Sequence, residues 1–171
     1  MRALIISADE FEDRELLVPK EQLEQSGSTV HVATPGGKPI HGKHGAEVAA
    51  DEAIDDVETA AYDVLVLPGG KAPAKLRNDP GVLAIARDFM AAGRIVAAVC
   101  HGPQILASAD LLRGKRATAY APLAPELKAA GAEYVDEEVV VDGNLITSRK
   151  PADLPAFVKA IKEKAGARAQ T

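Results

Sequence analysis

What most narrows the folds open to this chain is the rhythm of its short apolar runs. Ala3-Leu4-Ile5-Ile6, Thr29–Ala33, Asp63–Leu67 and Ile95–Val99 are each of strand length and rich in Val, Ile and Leu. Segments with helical spacing separate them. One runs through roughly 16–25 and is stopped by Ser26-Gly27. Another opens with Asp79 as cap and Pro80 at the first helical position, and Gly93 closes it after Ala92. Strands that alternate with helices predict an α/β domain: a doubly wound, mostly parallel sheet in a three-layer arrangement. With 171 residues there is room for one sizeable core, so residues 1–171 read as a single domain.

The smaller pieces fit around that sheet. Residues 40–50 read as a small hairpin beside it, with Gly42 and Gly45 supplying turn freedom. Residues 122–130 read as a helix, 138–141 and 145–148 as two arms about an Asp142-Gly143 turn, and 152–164 as a last helix before a frayed tail from Gly166 to Thr171. The net charge of −5 argues against a nucleic-acid or anionic-membrane surface, because both call for a basic face. A single cysteine cannot close an internal disulfide, which fits a reducing cytoplasm. Met1–Ala8 lacks the longer apolar segment of a signal peptide, and no run approaches the roughly 20 apolar residues that span a bilayer. A cytoplasmic protein that meets small molecules or other protein chains is the expectation.

The chemistry points to Cys100. It follows the most apolar strand and precedes His101-Gly102-Pro103, the layout of a nucleophile elbow. Gly102 would let the backbone turn without a Cβ clash, and Pro103 would pre-set the first helical φ. Helix amides behind the sulfur would then favour thiolate and lower the pKa from the free value of about 8.5. The His101 N–H could join an oxyanion hole, and its ring could act as base. The competing reading is a buried cysteine acting as a small hydrophobe.

Two other loops end at the same edge of the sheet. Asp9-Glu10-Phe11-Glu12-Asp13-Arg14-Glu15 follows the first strand, and a protonated Glu12 could donate a hydrogen bond to the thiolate. Alternatively, these acids only complement the positive end of the helix behind them. Gly69-Gly70 follows Pro68, and the Gly70 amide could stabilise negative charge on oxygen; a plain tight turn is the other reading. His41 and His44 flank Gly42-Lys43 without a local set of further ligands, so no metal site is expected, and no phosphate-binding glycine motif appears.

Together these residues resemble the PfpI-like branch of the Parkinson disease protein 7 superfamily. The likeness rests on Asp9–Asp13, Gly42–Gly45, Leu67–Gly70, Cys100-His101-Gly102-Pro103-Gln104, Glu138–Asp142, Thr147–Arg149 and Pro151–Leu154. It implies a flavodoxin-like, class I glutamine amidotransferase-like fold, with catalytic Cys100, His101 and Glu12. It also implies an oxyanion hole from the Gly70 and His101 amides, with Tyr120 and Gly69 lining the substrate pocket, and no cofactor. The implied activities are a cysteine-dependent glyoxalase or deglycase acting on a small aldehyde or glycated protein, an intracellular cysteine peptidase, or a redox-sensing stress protein or chaperone. A homo-oligomer, dimer or hexamer, is implied as well. One position departs: peptidase-like relatives carry an acid after the double glycine that completes a triad across a subunit boundary, where this chain has Ala74. Without that carboxylate, His101 would be a poorer base for amide cleavage.

Overall fold

A computed structural model describes residues 1–169. Six helices are found: α1 (Asp13–Gln25), α2 (Ala72–Leu76), α3 (Pro80–Ala91), α4 (Pro103–Ser108), α5 (Ala124–Ala129) and α6 (Leu154–Ala169). The strands are β1 (Arg2–Ile6), β2 (Thr29–Thr34), β3 (Ile40–His41), β4 (Glu47–Val48), β5 (Glu52–Ala53), β6 (Val64–Leu67), β7 (Ile95–Val99), β8 (Arg116–Ala117), β9 (Glu133–Tyr134), β10 (Val140–Asp142) and β11 (Leu145–Ser148).

Seven strands form the main sheet in the order β10-β11-β7-β6-β1-β2-β5. All neighbours are parallel except the edge pair β10–β11. The apolar runs found in the sequence lie at its centre, and β6 and β7 are buried along their whole length. Continuous apolar sequence is what a strand covered on both faces requires. α1 packs with α6, which lies along β7 and β11, while α3 packs on β6 and β7 beside α4. This is the three-layer doubly wound α/β fold.

The order β2-β1-β6-β7-β11 reverses direction between β1 and β6. In open α/β sheets, ligands bind beyond the carboxyl ends of the strands at such a switch point. The loops that emerge there carry Glu12, Gly69, Gly70 and Cys100, so the topology brings the sequence candidates to one end of the sheet. The Asp79 cap is formed, its carboxylate accepting from Gly81 N at 2.9 Å. Three expectations need correction. α1 starts at Asp13 instead of Leu16. The loop after Gly70 holds the short helix α2. α6 continues through Gly166 to Ala169, where fraying was expected; Gln170 and Thr171 lie outside the described residues.

Candidate active site

Cys100 has φ of 60°, in the left-handed region that a side chain with a Cβ adopts only under strain. Three features hold it there. Its N–H donates to Ser148 O at 3.0 Å, its carbonyl accepts from Tyr120 N at 2.9 Å, and Gly102 leaves room where any Cβ would strike the Leu67 carbonyl. The elbow is therefore built, and Cys100 is buried, with 9% of its surface exposed. The His101 N–H points at the sulfur, and His101 Nδ1 lies 3.4 Å from Sγ. The His101 ring rests against Tyr120 with centroids 4.7 Å apart, and Tyr120 is exposed at the rim.

The carboxyl that meets the thiol belongs to Glu15, and the expectation of Glu12 is corrected. Glu12 is the extended residue at the cap of α1, and its carboxyl turns to Arg14, Lys43 and His44 at 3.7, 3.9 and 3.5 Å. Glu15 stands in the first turn of the helix, where side chains lean back toward the N-terminus and hence toward the strand ends. It is fully buried, and its Oε1 accepts from Gly69 N at 2.8 Å. Its Oε2 has no hydrogen-bond partner among the described residues, and the Cys100 thiol lies beside this carboxyl and interacts with it electrostatically. Gly69 must be glycine, since a Cβ there would lie 2.5 Å from Glu15 Oε1 and 3.1 Å from Cys100 Cβ.

Gly70 has φ of 83°, and its Cβ position is occupied by the Glu12 backbone. Glu12 N donates to Gly69 O and Lys71 N to Glu10 O, which leaves the Gly70 N–H unengaged by any described residue. It is thus a free donor at the strand ends.

The electrostatics also differ from the expectation of a lowered thiol pKa. Burial first, and the nearby Glu15 charge second, push Cys100 up to about 12; the His101 N–H opposes them. α4 has six residues, too short to outweigh burial beside two carboxyls. Burial pushes Glu15 up to about 8 despite the Gly69 N–H, so the carboxyl is mostly protonated at neutral pH. Burial and the Lys43 ammonium hold His101 below its ordinary value, with Glu126 acting in the opposite sense. At neutral pH the ring is therefore mostly uncharged. In the tautomer protonated at Nε2, its Nδ1 can accept the Cys100 proton.

Arg77 and Glu126 were not singled out in the sequence and no local motif marks them, while Lys43 and Gln104 stood inside the Gly42–Gly45 and Cys100–Gln104 motifs with no role assigned. Ala74 lies exposed on α2. His41 sits at the surface between Asp9 and Glu47, and no metal-holding group of three or more side chains occurs among the described residues.

The DJ-1/PfpI family model matches residues 1–164. Deglycase PfpI of Pyrococcus furiosus is 45% identical over 166 residues, covering 95% of this chain and all of that one. Protein/nucleic acid deglycase 2 of Escherichia coli is 46% identical over 156 residues, 90% of this chain and 91% of that one. A solved two-domain protein of Anabaena variabilis, with DJ-1/ThiJ/PfpI-like and ferritin-like domains, superposes with a TM-score of 0.94. It is 41% identical, over 96% of this chain and 48% of that one. The chain belongs to the DJ-1/PfpI family.

Proposed function

We propose that the chain is a cysteine-dependent hydrolase of reactive aldehydes and their protein adducts, a deglycase or glyoxalase. The observation that carries this reading is the meeting of Cys100 Sγ with His101 Nδ1 at 3.4 Å beside the buried Glu15 carboxyl. The deglycase names of relatives near 46% identity support it.

With methylglyoxal, Sγ adds to the aldehyde carbon while its proton passes to His101 and on to the new hydroxyl, giving a hemithioacetal. In this reading the Gly70 N–H, which has no partner among the described residues, holds the developing oxyanion. The carbon-bound proton then leaves the first carbon and is delivered to the second. Glu15 and His101 serve as donor and acceptor, and the product is a lactoyl thioester. Water hydrolyses the thioester, releasing lactate and restoring the thiol. The sum is methylglyoxal plus water, with no oxidant or reductant. A neutral thiol with a neutral base beside it suffices because an aldehyde is far more electrophilic than an amide. That demand, together with Ala74, favours aldehydes over peptides.

Purified protein is expected to convert methylglyoxal to lactate without glutathione, and Cys100→Ala to form none. Equal consumption by the variant, or none by either protein, would remove the hydrolase reading.

A further inference from the structure

Glu126, on α5, is a half-exposed carboxylate held more firmly than most surface acids. Arg77 Nη2 donates to its Oε1, and Gln104 Nε2 donates to its Oε2 at 3.0 Å. Arg77 is itself fixed, with Nε on Ser108 Oγ at 2.9 Å and its backbone N–H on Pro73 O at 2.9 Å. The end of α2, the length of α4 and the start of α5 are thereby joined at one carboxylate. Exposed ion pairs ordinarily lose most of their value to side-chain freedom, and a two-donor clamp removes that freedom.

The clamp adjoins His101. Gln104 stands one turn after His101 and donates its backbone N–H to the His101 carbonyl at 3.0 Å. Tyr120, whose ring lies on His101, begins the turn that leads into α5, with Leu123 N on Tyr120 O at 2.8 Å. The charged and titratable groups around the ring are Cys100 at its own elbow, Tyr120 lying on its face, Lys43 from the β3–β4 hairpin, and Glu126 from α5. No hydrogen bond joins Glu126 to the ring, so its influence is that of a charge through space.

We propose that Glu126, clamped by Arg77 and Gln104, is a positioning residue for His101: a fixed negative charge, supplied within one chain, that stabilises the imidazolium formed when the ring takes the Cys100 proton. This rests on the role given to His101 above. Ala74, one turn before Arg77 on α2, offers only a methyl group. Two observations agree with a charge held ready for this use. Despite the burial it suffers, the Gln104 and Arg77 donors hold the Glu126 carboxyl below the usual range, so it stays ionised at working pH. It also opposes Lys43 at the ring.

The test is a titration of the His101 ring by NMR on the full chain labelled at histidine nitrogens, with the resonance assigned by its loss in His101→Gln. In Glu126→Gln the midpoint should fall by about 0.5 pH unit, as expected when a partly screened opposite charge is removed. Glu126→Asp keeps the charge and should restore most of the shift. Equal midpoints in wild type and Glu126→Gln would overturn the inference, as would an Asp variant that behaves like the Gln variant. The titration is independent of turnover. A shifted midpoint in a protein that consumes no aldehyde would therefore sink the hydrolase reading and still support the coupling of Glu126 to His101.

Discussion

Two groups beside Cys100 can handle protons, and at neutral pH they have opposite roles. His101 becomes an imidazolium 3.4 Å from the sulfur, whereas Glu15, pushed up to about 8, already holds a proton at neutral pH and can only donate. As pH rises past that value, Glu15 ionises and its charge works against thiolate formation. Glu15→Gln keeps a neutral hydrogen-bond donor and removes this charge. Iodoacetamide alkylation of Cys100 should then reach its half-maximal rate at a lower pH than in wild type, while aldehyde turnover falls for want of a proton relay. An unchanged or higher alkylation midpoint would mean that the Glu15 charge does not face the sulfur. The elbow at Cys100 was readable in the sequence, because strand, Cys100, Gly102 and Pro103 are contiguous and each has a backbone role. The identity of the acid was not. Five acids stand between Asp9 and Glu15, and which one reaches the thiol is settled by the residue at which α1 begins.

That starting residue is set by an element without a large core of its own, the β3–β4 hairpin. Asp13, at the first turn of α1, accepts from His44 N at 3.0 Å and Ala46 N at 2.9 Å. Glu10 N donates to His41 O, Lys43 N to Phe11 O, and Phe11 bridges both Gly42 and Gly70. The hairpin thus stitches the first loop to the double glycine and sets Lys43 at the crevice. Burial works to raise the Asp13 carboxyl, but the N–H donors of the hairpin outweigh it and hold the carboxyl below its ordinary 3.8. Asp13→Ala leaves those two N–H groups without acceptors and should cost about 1–3 kcal/mol in urea denaturation. A depressed folded value means that the ionised carboxyl stabilises the fold above the ordinary value and stops doing so as pH falls through the folded one. The gap between wild type and variant should therefore be widest near neutrality and narrow on acidification. A gap that stays constant down to pH 2 would mean that those N–H groups do not depend on the ionised carboxylate. The hairpin and the central strands could be read from glycine placement and apolar runs. α2, β5, β8 and β9 could not, since elements of two to five residues are too short to show a period and exist only through what they pack against. α6 outran its expected end because Ala165 and Ala167, on either side of Gly166, favour helix enough to offset it.

Across the whole molecule, a site built at the switch point buries a carboxyl of α1 against strand ends whose neighbouring core is mostly apolar. Glu15 is fully buried, one of its oxygens lacks a hydrogen-bond partner among the described residues, and its pKa is raised from 4.5 to about 8. An unfolded chain releases this proton above 4.5, whereas the folded chain keeps it until about 8. Between those values the native state binds the extra proton, so its stability is complete below the unfolded pKa and is lost as pH rises through the folded one. Cys100, raised to about 12, adds a loss of the same sign at more alkaline pH. Glu15→Gln has no proton to lose at this position, and every other titrating group is common to both chains, so the difference between their melting curves isolates this carboxyl. Near pH 4 the two should melt within a few degrees of each other. From pH 5 to 8 the variant should gain steadily on wild type, and the advantage should level off once wild-type Glu15 is ionised in both states. Melting temperatures that run parallel from pH 4 to 9 would show that the carboxyl is hydrated in solution, and the proton relay proposed for it would lose its basis. A variant more stable at pH 8 yet slower on aldehydes is the outcome expected if the fold bears a buried acid for the sake of its chemistry.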